Sequence, residues 1–411
     1  GANSLKFDNY AELIKTGVKL AKSVGKKVLL DIGPTGKLLK PMGDLDFDDA
    51  IEIFAQMIRA GKDGADAVLI ETMSDTYEIK AAVLAAKENC DLPIYVTMIF
   101  DEKGRLLTGA DIKTAVTMLE GLGIDAIGFN CGLGPKQMLP FVEEIRRHTE
   151  LPIILQPNAG LPESVNGQTV FNVTPKEFAD DMEKAAHIGV SFLGGCCGTT
   201  PEHIRQMIER CREIPASVPE KKSFSRVSSY SETVDLGVKP IVIGERINPT
   251  GKKRFKEALL AHDVDYILSQ AIEQIHAGAE ILDVNVGLPG IDEKEMMVTA
   301  VKAIQSVCDA PLQLDSTIPE VVEAGLRVYN GKPIVNSVNG EDESLENILP
   351  LVKKYGAAVV GLTLDKGGIP KTAEGRFAIA EKILNRALEY GIPREDVFID
   401  CLTLHTKSCK E

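Results

Sequence analysis

The chain has 411 residues, a length that suits two domains of about 200 residues each. It is 44% hydrophobic and 26% charged, which is typical of globular rather than disordered proteins. Its net charge of −14 disfavours binding to nucleic acids or anionic membranes, because both need a positive protein surface. We find no long apolar run and no signal peptide, and eight cysteines in so long a chain do not indicate a secreted disulfide framework. We therefore expect a cytoplasmic protein.

A helical pattern over residues 9–24 is followed by six short apolar segments, each succeeded by an amphipathic helical pattern such as those over 47–60 and 77–86. The six predicted strands cover residues 27–32, 67–71, 93–98, 126–131, 152–156 and 190–194. Strands that alternate with helices predict a parallel sheet with right-handed crossovers. Polar residues at the strand ends favour a TIM barrel over an open sheet.

This pattern stops over residues 213–239, where Ser, Pro and mixed charges predict an interdomain linker. Six more strands are then predicted over residues 240–245, 280–285, 311–315, 333–337, 357–364 and 396–400. The fold class is therefore α/β, with two (β/α)8 TIM-type barrels in tandem. Because a TIM barrel closes with eight strands, we expect the first barrel (1–212) to lack its initial strands and the second (240–411) its final strands. Such a chain would be a fragment of a longer protein.

Three cysteines lie next to the ends of predicted strands in the first half. Cys131 ends one strand, and the adjacent Cys196 and Cys197 separate another strand from a helix that opens at Thr200-Pro201-Glu202. Three thiolates with an open fourth position are typical of a catalytic rather than a structural zinc site. Buried, inert cysteines are the alternative, but three glycine-flanked thiols at strand ends favour zinc. The sequence therefore predicts that Cys131, Cys196 and Cys197 are catalytic metal ligands.

The motifs around these thiols resemble those of the zinc-dependent homocysteine S-methyltransferase family. They are Gly128-Phe129-Asn130-Cys131, Gln156-Pro157-Asn158-Ala159-Gly160 and Gly194-Gly195-Cys196-Cys197-Gly198-Thr199-Thr200-Pro201-Glu202-His203. The resemblance implies that homocysteine binds the zinc and loses its thiol proton there. It also implies that Asn158 lies beside the zinc and that Glu71, at a strand end, binds the substrate amino group. A turn-forming asparagine remains an equal interpretation of Asn158.

In the second half, five of the six strands end in acids or amides instead of thiols. Such a ring suits a neutral heterocycle rich in hydrogen-bond donors, although each acid alone could be a helix cap or a loop residue. The residues are Glu245, Asn248, Asp283, Asp315, Asn336 and Asp400. The segment Gly244-Glu245-Arg246-Ile247-Asn248-Pro249-Thr250-Gly251 resembles the first strand of the pterin-binding barrels of dihydropteroate synthases and methyltetrahydrofolate methyltransferases. The resemblance implies a pterin site.

The order of the two halves resembles the cobalamin-dependent methionine synthase family. By that resemblance, a methyl group passes from 5-methyltetrahydrofolate to cobalamin and then to zinc-bound homocysteine, which becomes methionine. Cobalamin would be carried by a module outside this sequence or by a separate corrinoid protein. A homocysteine methyltransferase with another donor and a non-catalytic zinc- and pterin-binding module remain alternatives. A zinc hydrolase is less favoured, because three thiolates suit hydrolysis poorly and no His or Glu base accompanies them.

Overall fold

The computed structural model describes residues 2–216 and 222–403. The chain divides into two compact units, Gly1–Lys222 and Ser223–Glu411, which are described separately. None of the helices in these described ranges combines the length and the apolar run that a membrane crossing needs.

The first unit contains a six-stranded parallel sheet whose strands follow the order of the chain. Its strands are β1 (Leu29–Ile32), β2 (Ala67–Met73), β3 (Ile94–Met98), β4 (Ala126–Asn130), β5 (Ile153–Gln156) and β8 (Phe192–Leu193). All six predicted strands are confirmed. A hairpin of β6 (Pro162–Val165) and β7 (Gln168–Phe171) lies between β5 and β8 and was not predicted. It escaped prediction because nearly all of its residues are exposed and carry no apolar alternation.

The α-helices of the first unit are α1 (Tyr10–Lys22), α2 (Phe47–Gly61), α3 (Thr76–Asn89), α4 (Ile112–Gly121), α5 (Pro135–His148), α6 (Pro175–Ile188) and α7 (Pro201–Cys211). The helices α2 and α3 bury the most apolar residues, whereas α1 has no buried residue. Side-chain caps fix several of their starts, as where Asp75 accepts a hydrogen bond from the Tyr77 N–H at 2.9 Å. The sheet core is apolar, with Val68, Val96 and Ile127 fully buried.

The second unit repeats this architecture with a second six-stranded parallel sheet in chain order. Its strands are β11 (Ile243–Ile247), β12 (Ile281–Asn285), β13 (Leu312–Asp315), β14 (Ile334–Val338), β15 (Ala358–Leu362) and β16 (Val397–Asp400). Its helices are α8 (Lys253–Leu260), α9 (Val264–His276), α10 (Glu293–Gln305), α11 (Pro319–Val328), α12 (Asp342–Tyr355) and α13 (Ala373–Glu389). The predicted strands are again confirmed.

The segment predicted as a linker, 213–239, contains an antiparallel hairpin of β9 (Arg226–Ser228) and β10 (Thr233–Asp235). Val227 is fully buried and packs in one apolar cluster with Ile281, Ile334 and Ala358 of the sheet strands. The second unit therefore begins before residue 240, and its hairpin covers part of the apolar interior. Strands of three residues are too short to show a periodic pattern in the sequence.

Both units thus have the parallel α/β architecture that the sequence predicts, and over the described residues each parallel sheet has six strands where a closed TIM barrel has eight. Because all strands of each sheet run in the same direction, their carboxyl ends lie along one edge. In barrels of this type, that edge carries the functional residues.

Candidate functional site

The three predicted thiols of the first unit lie together after the carboxyl ends of β4 and β8. Their sulfur atoms are all within 4.8 Å of one another, and the Sγ atoms of Cys131 and Cys197 are 3.9 Å apart. Sulfur ligands at about 2.3 Å from a tetrahedral zinc ion lie about 3.8 Å from one another. The cluster therefore fits a single zinc ion held by three thiolates, with a fourth position left for another ligand.

Backbone hydrogen bonds hold the thiols in place. The N–H of Cys131 donates to the carbonyl of Gln156 at 3.0 Å, and the N–H of Cys196 donates to the carbonyl of Pro157 at 2.8 Å. Gly198, which follows the paired cysteines, has a φ of +77°, and a Cβ there would lie 2.3 Å from the ring of Phe171. Both thiol-bearing segments are thus anchored to the end of β5, and the turn after Cys197 requires glycine.

Asn158 lies next to Cys131 and Cys197. Its side chain is 3% exposed, and its Oδ1 accepts a hydrogen bond from the N–H of Cys197 at 3.0 Å. The same side chain hydrogen-bonds to Cys131 and helps to lower the pKa of that thiol. Asn158 therefore contacts both thiol-bearing segments.

The thiols do not ionise independently. A hydrogen bond from Cys196 lowers the pKa of Cys131 to about 5, with smaller contributions from Gly132 and Cys197. The hydrogen bond to Cys131 raises the pKa of Cys196, and burial together with the Cys131 charge raises the pKa of Cys197. The cluster thus releases one proton readily and retains the others. A cation between the sulfurs would stabilise all three thiolates, as a metal site requires.

Glu71 lies near the carboxyl end of β2 and is half-buried. Burial is the main cause that raises the pKa of its carboxyl group to about 7, and the charges of Asp31 and Cys131 raise it further. An anionic carboxylate in such surroundings is stabilised by a cation. Glu71 is therefore suited to hold an ammonium group near the thiols.

The acids and amides of the second unit are aligned across neighbouring strands. Asn285 lies opposite Asp315, which lies opposite Asn336, so these side chains follow one edge of the sheet. Asn285 donates from its Nδ2 to Asp315 Oδ2 at 2.8 Å. Asp283 lies two residues before Asn285 in β12 and is 2% exposed. Its Oδ1 accepts hydrogen bonds from Gln313 at 2.6 Å and from Asn336 at 3.4 Å.

Two buried acceptors of this cluster have no hydrogen-bond partner among the described residues: Oδ2 of Asp283 and Oε1 of Gln313. Buried polar atoms are normally paired, so two acceptors without partners indicate a place for a bound molecule or water that offers donors. Burial, with a contribution from the charge of Asp315, raises the pKa of Asp283 to about 7. Burial also raises the pKa of Asp315.

The other residues that the sequence predicts as pterin contacts are Glu245, Asn248 and Asp400. The charge of Glu245 contributes to the raised pKa of both Asp283 and Asp315, which places it near them, and Asn248 donates to Glu245 Oε1 at 3.5 Å. Asp400 is exposed at the end of β16, and its Oδ1 accepts a hydrogen bond from the Leu402 N–H at 2.7 Å. Its carboxylate therefore orders its own turn, and no contact links it to the Asp283 cluster within the described residues.

Gln313 was not predicted as a site residue. It lies inside β13, directly opposite Asp283 in β12, and is 7% exposed. The available signal was a polar residue between two leucines, in the segment Leu312-Gln313-Leu314, where an apolar residue is expected in a buried strand.

Comparisons with known proteins agree with both halves of this description. A homocysteine S-methyltransferase family model matches residues 2–211, and a pterin binding enzyme model matches residues 244–411. A methionine synthase of Mycobacterium leprae (strain TN) is 33% identical over 425 residues, which cover 96% of this chain and 35% of the relative. A methionine synthase of Mycobacterium tuberculosis (strain ATCC 25618 / H37Rv) is 33% identical over 429 residues, with the same two coverages.

Among solved structures, the apo form of the homocysteine methyltransferase MmuM from Escherichia coli is similar over 51% of this chain and 76% of its own, with 21% sequence identity and a TM-score of 0.43. The fold and the matched segments define a tandem α/β protein that joins a homocysteine S-methyltransferase unit to a pterin-binding unit. The chain belongs to the homocysteine S-methyltransferase family. It spans 35% of the length of the two mycobacterial relatives.

Proposed function

We propose that this chain binds homocysteine and 5-methyltetrahydrofolate and takes part in methyl transfer from the folate to the homocysteine sulfur, which forms methionine. The observation that carries this proposal is the cluster of three sulfur atoms within 4.8 Å at the carboxyl edge of the first sheet. Three closely spaced thiolates with space for a fourth ligand suit activation of a substrate thiol.

In this proposal, Cys131, Cys196 and Cys197 hold a zinc ion, which supplies the positive charge that keeps a bound substrate thiol deprotonated at neutral pH. Asn158 binds the backbone N–H of Cys197 and contacts Cys131, so it fixes the positions of the two thiol-bearing segments relative to each other. Glu71 binds the substrate ammonium group. These residues orient the sulfur lone pair, while the thiol proton leaves to solvent.

The second unit binds the pterin ring of 5-methyltetrahydrofolate. Asp283 Oδ2 and Gln313 Oε1 are buried acceptors that find no partner within residues 2–216 and 222–403, and the N–H and amino groups of a pterin can supply the missing donors. Asp315 and Asn336 line the same edge, with Glu245 and Asn248 nearby and Asp400 at its far end. Cobalamin, held by a further module or by a separate corrinoid protein, would supply the methyl-carrier chemistry, while the residues of this chain bind the two substrates.

The methyl transfer to sulfur is balanced as a displacement. The new S–CH3 bond forms with the thiolate lone pair, while the bond from the methyl group to its donor breaks and its electron pair stays with the donor. Protonation of the folate nitrogen completes the transfer from methyltetrahydrofolate to homocysteine. No net oxidation or reduction takes place.

Calorimetric titration of the zinc-loaded chain tests the two binding sites separately. Homocysteine should bind with release of a proton, and Cys131→Ser should abolish this binding while 5-methyltetrahydrofolate still binds. Asp283→Leu should abolish binding of 5-methyltetrahydrofolate while homocysteine still binds. Folate binding that is unaffected by Asp283→Leu would contradict the pterin assignment, and absence of folate binding by the parent protein would favour another methyl donor.

A further inference from the structure

Strand β2 contains an irregularity next to Glu71. Ile70 lies opposite Val96 and Met73 lies opposite Met98, so β2 has one residue more than β3 over this stretch. Thr72, inside this bulge, has a φ of +64°, which is unusual for a β-branched residue. Bulges of this kind redirect a side chain and are common beside active sites. Glu71, which directly precedes Thr72, lies inside the same bulge.

Asn130, at the end of β4, holds this bulge through two hydrogen bonds. The N–H of Thr72 donates to Asn130 Oδ1 at 2.9 Å, and Asn130 Nδ2 donates to Thr72 Oγ1 at 2.6 Å. Because a backbone N–H can only donate, the first bond fixes the orientation of the amide group. Asn130 is 1% exposed and Thr72 is half-buried, so both bonds lie at least partly away from solvent. We call this pair the Asn130–Thr72 clamp.

The clamp connects the two strand ends that carry the proposed substrate contacts. On one side, Thr72 directly follows Glu71. On the other, Asn130 directly precedes Cys131, which itself has a φ of +57°. Both residues next to the clamp thus depend on local backbone geometry that an ordinary strand end would not adopt. A purely structural role would need only a partner for the Thr72 N–H, whereas the second bond also fixes the Thr72 side chain.

We infer that the Asn130–Thr72 clamp sets the distance between the Glu71 carboxylate and the thiol cluster, and thereby selects thiol substrates that carry an amino group. This inference rests on the proposed function, since Glu71 is assigned there to the ammonium group. Asn130 and Thr72 are positioning residues, because they act on the substrate through Glu71. The substrate class is a short aliphatic thiol with an amino group at the length of homocysteine.

The test compares two thiols on the zinc-loaded full chain: homocysteine, and 4-mercaptobutyrate, which is homocysteine without its amino group. Thr72→Val removes the hydroxyl group at nearly constant volume, and Asn130→Ala removes both bonds. Each variant should weaken homocysteine binding about ten-fold and leave 4-mercaptobutyrate binding unchanged. Thr72→Ser keeps the hydroxyl group and should retain the homocysteine preference of the parent protein. Zinc content and thermal unfolding show that each variant is folded.

If the clamp variants weakened the binding of both thiols equally, or changed the binding of neither, the inference would be overturned. The clamp would then have only a structural role. Glu71→Gln separates this failure from that of the proposed function. If Glu71→Gln removes the preference for homocysteine but neither clamp variant does, only the inference fails. If Glu71→Gln keeps the preference, Glu71 does not bind the amino group, and the inference fails with that assignment. If the parent protein does not bind homocysteine at zinc, both fail.

Discussion

The side-chain oxygen of Asn158 accepts a hydrogen bond from the backbone N–H of Cys197 at 3.0 Å. The same amide group contacts Cys131, so one buried residue joins both thiol-bearing segments. Replacing it with leucine of similar size should lower zinc affinity ten- to hundred-fold, roughly the effect of losing an outer-shell partner of a metal ligand. Competition with a chromophoric chelator measures this. Asn9→Leu, at an exposed position, is the matched control, and equal affinities for both variants would contradict the role of Asn158.

The thiol cluster predicts which cysteines hold the metal. Serine at position 131, 196 or 197 replaces a soft thiolate with a poorer zinc ligand, so each variant should lose most of its zinc on dialysis. Metal analysis by atomic emission gives the stoichiometry. Cys90→Ser and Cys308→Ser, which change thiols outside the cluster, should keep one zinc per chain. Loss of zinc from these controls would place the metal elsewhere.

A buried ion pair lies inside the second unit. Lys332 Nζ lies 2.7 Å from both carboxylate oxygens of Asp396, and the two residues are 7% and 3% exposed. Removal of one partner leaves a buried charge without compensation, so Lys332→Met should lower the free energy of unfolding by about 3–5 kcal/mol. The double variant Lys332→Met, Asp396→Leu should recover most of this loss. Chemical denaturation measures both, and a double variant as unstable as the single one would contradict this explanation.

The raised pKa of Asp283 predicts that the free energy of unfolding depends on pH. Burial, with the charge of Asp315, raises the pKa of Asp283 to about 7 in the folded protein, above the ordinary value of 3.8. The folded state therefore retains a proton that the unfolded state loses, and the contribution of Asp283 to stability falls as the pH rises from about 4 to about 7. Asp283→Asn should remove this dependence, which amounts to at most about 4 kcal/mol. Parallel denaturation curves near pH 5 and pH 8 for parent and variant check it, with Asp309→Asn, at an exposed position, as the matched control.

If Asp283→Asn and the parent protein lost stability equally between those two pH values, the proton would not reside on Asp283. The same result would argue against Asp283 as an acceptor for a ligand with hydrogen-bond donors. If only the variant lost the pH dependence, the result would support both the protonation of Asp283 and its role as a ligand acceptor.

Much of the fold could be predicted because apolar runs bounded by turn residues are strong signals for buried parallel strands, as in β2 and β12. The two hairpins could not, since the β6–β7 hairpin is almost wholly exposed and each strand of β9–β10 has three residues. The packing of Val227 against the second sheet is a tertiary contact that no local pattern contains.

The thiol site could be predicted for a similar reason: Cys131 directly follows β4, Cys196 and Cys197 follow shortly after β8, and parallel strands end at one edge. Partners within strands could not be predicted in the same way. The Gln313–Asp283 hydrogen bond depends on the register between β12 and β13, and the Asn130–Thr72 clamp depends on a bulge. Neither register nor bulge position can be read from the residues alone.

X-ray absorption at the zinc edge, recorded on the zinc-loaded chain with and without homocysteine, tests whether the three thiolates hold a zinc ion that binds the substrate thiol. We expect three sulfur neighbours at about 2.3 Å in the free protein and four after homocysteine is added. A site with four protein ligands that does not respond to homocysteine, or a chain that binds no zinc, would contradict it.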